Sequence, residues 1–370
     1  MKKSKNLTYL TQKKKSDFWL LLLTFAFTFF GILMIFEASN VAAFVSFNDK
    51  FHFVKDQFLW AVLGFILLII FSKIHYRKLF VMAVPMLTVT IIALIAVLIP
   101  GIGIKALGAR RWINLSFFSF QPSELAKISL ILYLSAWFTN KEKGRFFHFL
   151  FLTGLIVGLV ILQPDLGTAV ILTAIFLAVY FISNAPLFHF LILLPGAILS
   201  VIFLALISPY RYQRLMTFFD PNRDPLGASY HIRQILISLG SGGFIGLGLG
   251  ASRQKYQYLP EATTDSIFAI IGEEAGFLGT SFIILLFIVF LYRIYLIVKH
   301  SPDNYARLLS SGILSLMAFQ IIINLGAMVA IFPLTGVPLP FFSYGGSNLI
   351  VTLFSVGILL NISKFRVKTK

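Results

Sequence analysis

The chain has 370 residues, of which 58% are hydrophobic and only 12% are charged, and its mean hydropathy is +0.89. This composition excludes an ordinary water-soluble protein and predicts an integral membrane protein. The absence of cysteine excludes disulfides, thiolate metal sites and a thiol nucleophile. The formal charge is +17, but no recognition module accompanies it, so we expect no nucleic-acid partner and attribute the excess to membrane topology.

Apolar segments long enough to cross a bilayer recur along the whole chain. A helix needs about 20 apolar residues to span the hydrocarbon core. The first segment is too long for a signal peptide, so we expect it to remain as an anchor. The predicted fold class is an all-α integral membrane protein, with a single membrane domain of ten transmembrane helices over residues 1–370. The predicted spans are 18–38, 57–74, 79–100, 122–139, 146–163, 167–184, 187–208, 266–292, 308–332 and 343–362.

Basic residues are concentrated on one side of this predicted topology. The N-terminal tail 1–17, the C-terminal tail 364–370 and the alternate connections between spans carry most of the Lys and Arg. The short connections on the opposite side carry few. The positive-inside rule therefore predicts that both termini are cytoplasmic.

The longest predicted outer segment is the connection at 209–265, between spans seven and eight. Its middle, GASYHIRQILISLGSGGFIGLGLGASRQKYQY, is rich in glycine and too broken to form a further span. We predict an interfacial or re-entrant element, because such backbone is tolerated at membrane depth only where it packs on protein or lines a wet cavity. Other polar motifs fall on the same predicted side: GARRWINLSFFSFQPSELAK (108–127), QPDLGT (163–168) and FPLTGVPLPFFSYGGSN (332–348).

Together, these motifs resemble those of the SEDS family (shape, elongation, division and sporulation), whose members include FtsW, RodA and SpoVE. The likeness extends from about residue 17 to 365. It rests, in family order, on GARRWI with QPSELAK, QPDLGT, LGSGGFIGLGLGASRQKYQYLPEATTDSIFAIIGEE and PLTGVPLPFFSYGGSN. The run from GSGG to LPEA is more similar to the FtsW branch than to the RodA branch.

The resemblance implies a ten-span fold and a glycosyltransferase that polymerises lipid II into peptidoglycan strands during cell division. It also implies a place in the bacterial plasma membrane, at the division septum, with a class B penicillin-binding protein and other divisome membrane proteins as partners. Three alternatives remain open at this point: a RodA-like polymerase of cell elongation, a lipid II flippase, and a non-catalytic divisome scaffold.

The expected chemistry requires a carboxylate and cations. A sugar hydroxyl is a poor nucleophile at neutral pH, so a positioned carboxylate should accept its proton, and Arg or Lys should stabilise the departing diphosphate. Asp265 in TDSIFA is the candidate base, and the resemblance assigns the proposed catalytic aspartate of the family to this position. The alternative is that Asp265 caps the N-terminus of the following helix.

The candidate substrate-binding residues lie in the other motifs. Arg110, Arg111 and Trp112 are expected to contact diphosphate and sugar; the alternative is that they anchor the chain at the membrane interface. Glu124 and Lys127 lie three residues apart on one helix face and either bind substrate or pair with each other.

Further candidates lie in and around the long outer segment. Arg211 and Arg214 follow span seven and are predicted to meet phosphate or lipid headgroups. Glu261 is expected either to help hold a sugar or a metal, or to be an exposed acid of the loop. A helical projection places Glu273 at the border of the Asp265 cavity and Glu274 on the opposite side, paired within the bundle.

Three further expectations concern single polar groups. Asp165 in QPDLGT is either an N-cap or a secondary substrate contact, and His231 is expected to be structural. Relatives often carry His at the position of Thr263 and Phe at that of Ser266, so the surroundings of Asp265 are expected to differ from theirs. A divalent cation could bridge diphosphate and carboxylates; no ligand pattern requires one, and the metal requirement is unknown.

Overall fold

The computed structural model describes residues 15–106, 108–114, 119–139, 146–220, 224 and 227–367. The predicted tail 1–17 is therefore described only from residue 15, and the tail 364–370 only as far as residue 367. The described residues form twelve α-helices and one small antiparallel sheet of three strands.

Ten of the twelve helices coincide with the ten predicted spans. Seven helices are long and apolar enough to cross a membrane (α1, α2, α3, α7, α10, α11 and α12), whereas α5 and α6 are apolar but shorter. The protein is thus a helical, multi-pass membrane protein, and the count of ten crossings stays a prediction. The helices are α1 Phe18–Phe47, α2 His52–Lys73, α3 Arg77–Ala96, α4 Pro122–Thr139, α5 Phe146–Ile161, α6 Leu166–Ile182, α7 Leu187–Ile207, α8 Pro209–Phe219, α9 Tyr230–Ser241, α10 Ile267–Lys299, α11 Asn304–Met328 and α12 Gly346–Ser363.

The two additional helices, α8 and α9, lie inside the predicted outer segment 209–265. At 11 and 12 residues they are too short to span a bilayer. The sheet consists of β1 Gly103–Ala106, β2 Ala109–Asn114 and β3 Ser119–Phe120, in that spatial order, and precedes α4.

The centre of the bundle is formed by α4, α11 and α12, whose side chains are mostly buried. Helix α12 packs closely along α2: a Cβ atom at Gly357 would lie 2.7 Å from the carbonyl oxygen of Leu68. Small residues allow this approach in membrane helices, where close packing replaces the hydrophobic effect. Helix α7 is the opposite case: only Ala205 of this helix is buried and most of its apolar side chains are exposed, as expected for a surface that faces lipid.

Both ends of the described chain meet at one end of the bundle, which we call the terminal end (residues 15–17 and 363–367). The buried Asp17 carboxylate accepts hydrogen bonds from Arg293, at 2.8 Å, and from Arg366. The Asp17 amide donates to Ser363 Oγ at 3.0 Å. Burial opposes ionisation of Asp17, but the bonds from Arg366, the Leu20 amide and Arg293 hold its pKa below the ordinary value. Residues 15–17 and 363–367 therefore lie at the same end of the bundle, and the cytoplasmic placement of this end stays a prediction.

Helix α10 is interrupted at Gly276, whose φ of 63° and ψ of −164° are not helical. The glycine loop (residues 243–250) packs against this break. Its Leu247 amide donates to the Glu273 carbonyl at 3.0 Å, and the Phe277 amide donates to the Gly243 carbonyl at 3.0 Å. The loop thus satisfies backbone groups that the interrupted helix leaves unpaired, which is the packing that its composition requires in a membrane protein.

Candidate active site

Asp265 lies at the end of the bundle opposite the terminal end, on the loop 259–266 that enters α10. Its side chain is 7% exposed, and Thr264 Oγ1 donates to Oδ1 at 3.4 Å. The side-chain amide of Asn324, in α11, donates to the backbone carbonyl of Asp265 at 2.9 Å. The N-cap of α10 is Ser266, one residue later. The alternative that Asp265 caps this helix is therefore wrong, and its carboxyl is left for another purpose.

The environment of Asp265 favours proton uptake. Burial, and then the negative charge of Glu261, raise the pKa of Asp265 from 3.8 to about 6, while the positive charge of Arg214 opposes the rise. A cap would have lowered the pKa instead. A carboxylate whose pKa lies close to neutral pH is suited to general-base catalysis.

A cavity of about 210 Å³ lies between α8, α9 and the segment around Leu334. Arg214 lines it, donates to the Leu334 carbonyl at 3.1 Å and lies 4.8 Å from the centre of the Tyr210 ring. Asp265 does not itself line the cavity. It is coupled to the cavity by the charge of Arg214 and by His231, which lines the cavity and bonds the neighbouring Ser266.

The segment 334–337 joins the QPDLGT motif to the Asp265 loop. A Cβ atom at Gly167 would lie 2.6 Å from the Thr335 carbonyl oxygen, and one at Gly336 would lie 3.8 Å from Asp265 Oδ2. Gly336 has a φ of +70°, which favours glycine at this close approach. The outer motifs singled out in the sequence are thereby brought together at one end of the bundle, which we call the motif end.

The arginines of β2 reach the same end in different ways. Arg111 donates to the Gln163 carbonyl at 3.2 Å and to the Pro164 carbonyl, so it fastens the sheet to the QPDLGT turn. Arg110 has a marginal contact of 3.5 Å with the Leu98 carbonyl, and Trp112 is half-buried in the same strand. Asp165 is the N-cap of α6, accepting from the Thr168 amide at 3.1 Å and from its hydroxyl at 2.8 Å.

Glu124 and Lys127 form a buried ion pair, with 2.6 Å between Oε1 and Nζ. Their exposed fractions are 2% and 1%. The pairing alternative is thus the one that the structure realises, and the contacts of this pair lend no support to substrate binding.

Glu273 and Glu274 both bind the segment 252–255. The predicted buried pairing of Glu274 is present, with Lys255 as its partner, whereas Glu273 does not line the cavity between α8 and α9, so its predicted place at the border of the Asp265 cavity finds no support. Glu273 accepts from the Ser252 hydroxyl at 2.5 Å and the Arg253 amide at 3.1 Å. Glu274 accepts from the Ser252 amide at 3.3 Å and lies 3.6 Å from the Lys255 ammonium. The irregular segment wraps around the end of the first part of α10 and reaches both carboxylates, which a projection of the helix alone does not reveal.

Two predicted residues of the long segment have modest contacts. Arg211 Nη1 lies 3.5 Å from the Leu204 carbonyl oxygen, in the preceding helix. Glu261 is exposed, accepts from the Thr264 hydroxyl at 2.7 Å and acts on Asp265 through its charge. The sequence did not single out Asn324, which carries no charge and lies outside the quoted motifs, or Gly336, which lies within FPLTGVPLPFFSYGGSN but has no side chain to suggest a role.

If Asp265 acts as a base, replacing Arg214 by glutamine is expected to lower the rate and to move the acid limb of the pH–rate profile to higher pH. The cation lowers the pKa of Asp265, so its removal raises that pKa and the ionised base forms only at higher pH. Rates measured from pH 5 to 9 test this, with Arg211→Gln as the matched control on the same helix. An acid limb that stays in place, or moves to lower pH, contradicts the prediction.

The fold and site define a multi-pass helical membrane protein with a buried carboxyl beside a cation-lined cavity at one end of its bundle. Residues 18–368 match the family model of FtsW, RodA and SpoVE, described as cell cycle proteins. The chain belongs to this family.

Individual relatives and solved structures agree with this membership. The chain is 41% identical over 354 residues to the probable peptidoglycan glycosyltransferase FtsW of Trichlorobacter lovleyi, covering 94% of this chain and 93% of that protein. It is 38% identical over 361 residues to the stage V sporulation protein E of Bacillus subtilis, covering 96% and 99%. A chain from a peptidoglycan synthase complex that coordinates polymerization and crosslinking superposes with a TM-score of 0.77 and 29% identity, covering 94% and 97%. The rod shape determining protein RodA of Thermus thermophilus superposes at 0.71 and 28%, covering 96% and 98%.

Proposed function

We propose that this chain is a peptidoglycan glycosyltransferase that polymerises lipid II, with Asp265 as the general base. The observation that carries the proposal is the buried Asp265 carboxyl, with a pKa raised to about 6, beside a cavity that holds Arg214. The FtsW relatives, which are named probable peptidoglycan glycosyltransferases, support the reaction class.

The reaction is a substitution at an anomeric carbon. The 4-hydroxyl of one saccharide attacks the anomeric carbon of another, the bond from that carbon to the diphosphate oxygen breaks, and undecaprenyl diphosphate departs. Asp265 accepts the hydroxyl proton, which makes the oxygen a competent nucleophile. Arg214 supplies positive charge where the leaving diphosphate gathers negative charge. Arg110 and Arg111 of β2 lie at the same end and are further candidates for diphosphate contact.

The membrane placement follows from the charge distribution. The terminal end, with its basic tails, faces the cytoplasm, and the motif end faces outward, where the saccharide must be joined. A class B penicillin-binding protein is the expected crosslinking partner, because a structural neighbour belongs to a complex that coordinates polymerization and crosslinking. The FtsW relatives favour a role at the division septum, with other divisome membrane proteins, over RodA-like elongation.

A metal requirement stays open. Within the ranges that the structure describes, no group of three or more His, Asp or Glu side chains is arranged to hold a metal ion. A divalent cation that bridges the diphosphate to a single carboxylate would not need such a group.

The decisive test incubates purified protein with lipid II, with and without the partner transpeptidase, and separates the glycan products on a gel. Wild type should form strands, and Asp265→Ala should form none while still folding and binding its partner. Asp49→Asn is the control, because Asp49 pairs with Lys55 away from the site. A flippase or a scaffold would form no strands in any of these samples, and polymerisation by Asp265→Ala would remove Asp265 from the proposal.

A further inference from the structure

We propose that His231 is a positioning residue for this reaction: it fastens the two ends of the loop 260–266 and thereby holds the Asp265 carboxyl in its buried place. The inference deepens the proposed function and rests on it. His231 lies on α9, 34 positions before Asp265 in the chain, and is not itself the base.

The contacts of the imidazole carry the argument. Nε2 lies 2.8 Å from the hydroxyl of Ser266, the residue directly after Asp265. The Pro260 backbone, five positions before Asp265, also interacts with the imidazole and acts to raise its pKa. One side chain thus contacts both ends of the loop that carries the base.

The helix that supplies His231 is held firmly against α10. Ser238, two turns further along α9, donates to the Ala269 carbonyl at 2.9 Å. At the end of α9, a Cβ atom on Gly242 would lie 2.9 Å from the Gly272 carbonyl carbon, so the two backbones are in close contact. His231 therefore projects from a fixed frame, which is what a residue that positions a loop requires.

The charges around the site favour a neutral imidazole. Burial, and then the charge of Arg214 on α8, lower the pKa of His231 to about 4. Glu261 and Asp265 itself lie on the loop, and the described part of α11 contributes the neutral Asn324. The imidazole is therefore neutral at pH 7 and contacts the Ser266 hydroxyl in that form.

Removing the contacts of His231 with Ser266 and Pro260 should affect turnover rather than substrate binding. With His231→Phe, we expect kcat to fall by about 10- to 100-fold at an unchanged KM, because a small displacement of a base has an effect of this size. The acid limb should move to lower pH, since a loosened loop admits water to the carboxyl. Ser266→Ala removes one bond and should give a smaller change in the same direction. In the double variant, kcat should be no lower than in His231→Phe alone, because both substitutions remove the contact between His231 and Ser266.

His189→Phe is the matched control. His189 also bonds a hydroxyl, that of Tyr180 at 2.5 Å, but it lies at the start of α7, next to the α6–α7 connection. It should leave kcat and the pH profile unchanged. The inference is overturned if Ser266→Ala and His231→Phe retain the wild-type kcat and acid limb while Asp265→Asn is inactive, a result that leaves the proposed function intact.

A second measurement decides the inference without any activity. Asp265→Asn changes the melting temperature by an amount that grows with pH above about 4, and the pH at which this growth levels off reports the pKa of the folded Asp265 carboxyl. We expect levelling off near pH 6 with His231 present and at lower pH in the Ser266→Ala and His231→Phe backgrounds. The same levelling-off pH in all three backgrounds would refute the positioning role, even if wild type failed to polymerise lipid II and the proposed function fell.

Discussion

Replacing Asp265 with asparagine is expected to give a protein that is inactive and yet more stable than wild type at pH 7. Asparagine cannot accept the hydroxyl proton, so the rate should fall by at least about 100-fold. The gain in stability follows from the pKa of about 6 in the folded protein, compared with 3.8 for an ordinary Asp. This pKa difference of about two units corresponds to roughly 3 kcal/mol. Ionisation of the buried carboxyl lowers the free energy of unfolding at neutral pH by that amount.

The sign and the pH window of this effect can be tested together. The Asp265 carboxyl binds its proton more tightly in the folded than in the unfolded protein. Its contribution to wild-type stability is therefore greatest below about pH 4. It falls as the pH rises through about 6. The advantage of Asp265→Asn should therefore be complete above pH 7 and absent at pH 4. Thermal unfolding in detergent from pH 4 to 8 measures it, with Asp49→Asn as an exposed control. A variant that is less stable than wild type at pH 7 would show that the carboxyl is not held in a desolvated place.

Replacing Gly276 with alanine is expected to destabilise the fold by about 3 kcal/mol or more. The φ of 63° and ψ of −164° at this break belong to a region that is accessible essentially to glycine alone. A Cβ atom there would also overlap the Gly246 nitrogen and lie 2.6 Å from the carbonyl carbon of Ile245. These are backbone atoms of the glycine loop and cannot move aside as the end of a flexible side chain could, so strain and overlap add.

The destabilisation should extend to the segment 252–255, which binds Glu273 and Glu274, because the break in α10 and the glycine loop are joined by backbone hydrogen bonds. Size-exclusion profiles and melting temperatures in detergent measure the effect. Gly196→Ala, in α7, is the control, since a Cβ atom there meets nothing within 4 Å. Wild-type stability of Gly276→Ala would mean that the break in α10 is not a fixed feature of the fold.

The helices were largely predictable from the sequence because hydropathy is a property of each residue, summed over a window. Ten apolar windows correspond to ten helices, and the polar motifs between them indicated the end at which the site lies. The break in α10 was not predicted, although the glycine-rich character of 243–250 indicated backbone packed on backbone. Gly276 is one glycine among 26, and only the glycine loop lying against it reveals its conformation.

The individual roles of the polar residues were less predictable. The sequence left two roles open for Asp265, helix N-cap and general base. In the structure the N-cap of α10 is Ser266, which removes the first role. His231 was expected to be structural, and its position beside Ser266 became visible only once α9 was packed on α10.

By itself, the sequence determined the membrane class, the helical fold and the clustering of the polar motifs. These depend on composition and local periodicity, which need no knowledge of distant partners. Only the tertiary structure decided which charges neutralise each other and which carboxyl stays desolvated beside a cavity. Those properties depend on contacts such as the one between Asp265 and the Asn324 amide, 59 positions apart, which arise from helix packing. The pKa of a buried group depends on all of its neighbours together, and the hydropathy of a sequence does not identify those neighbours.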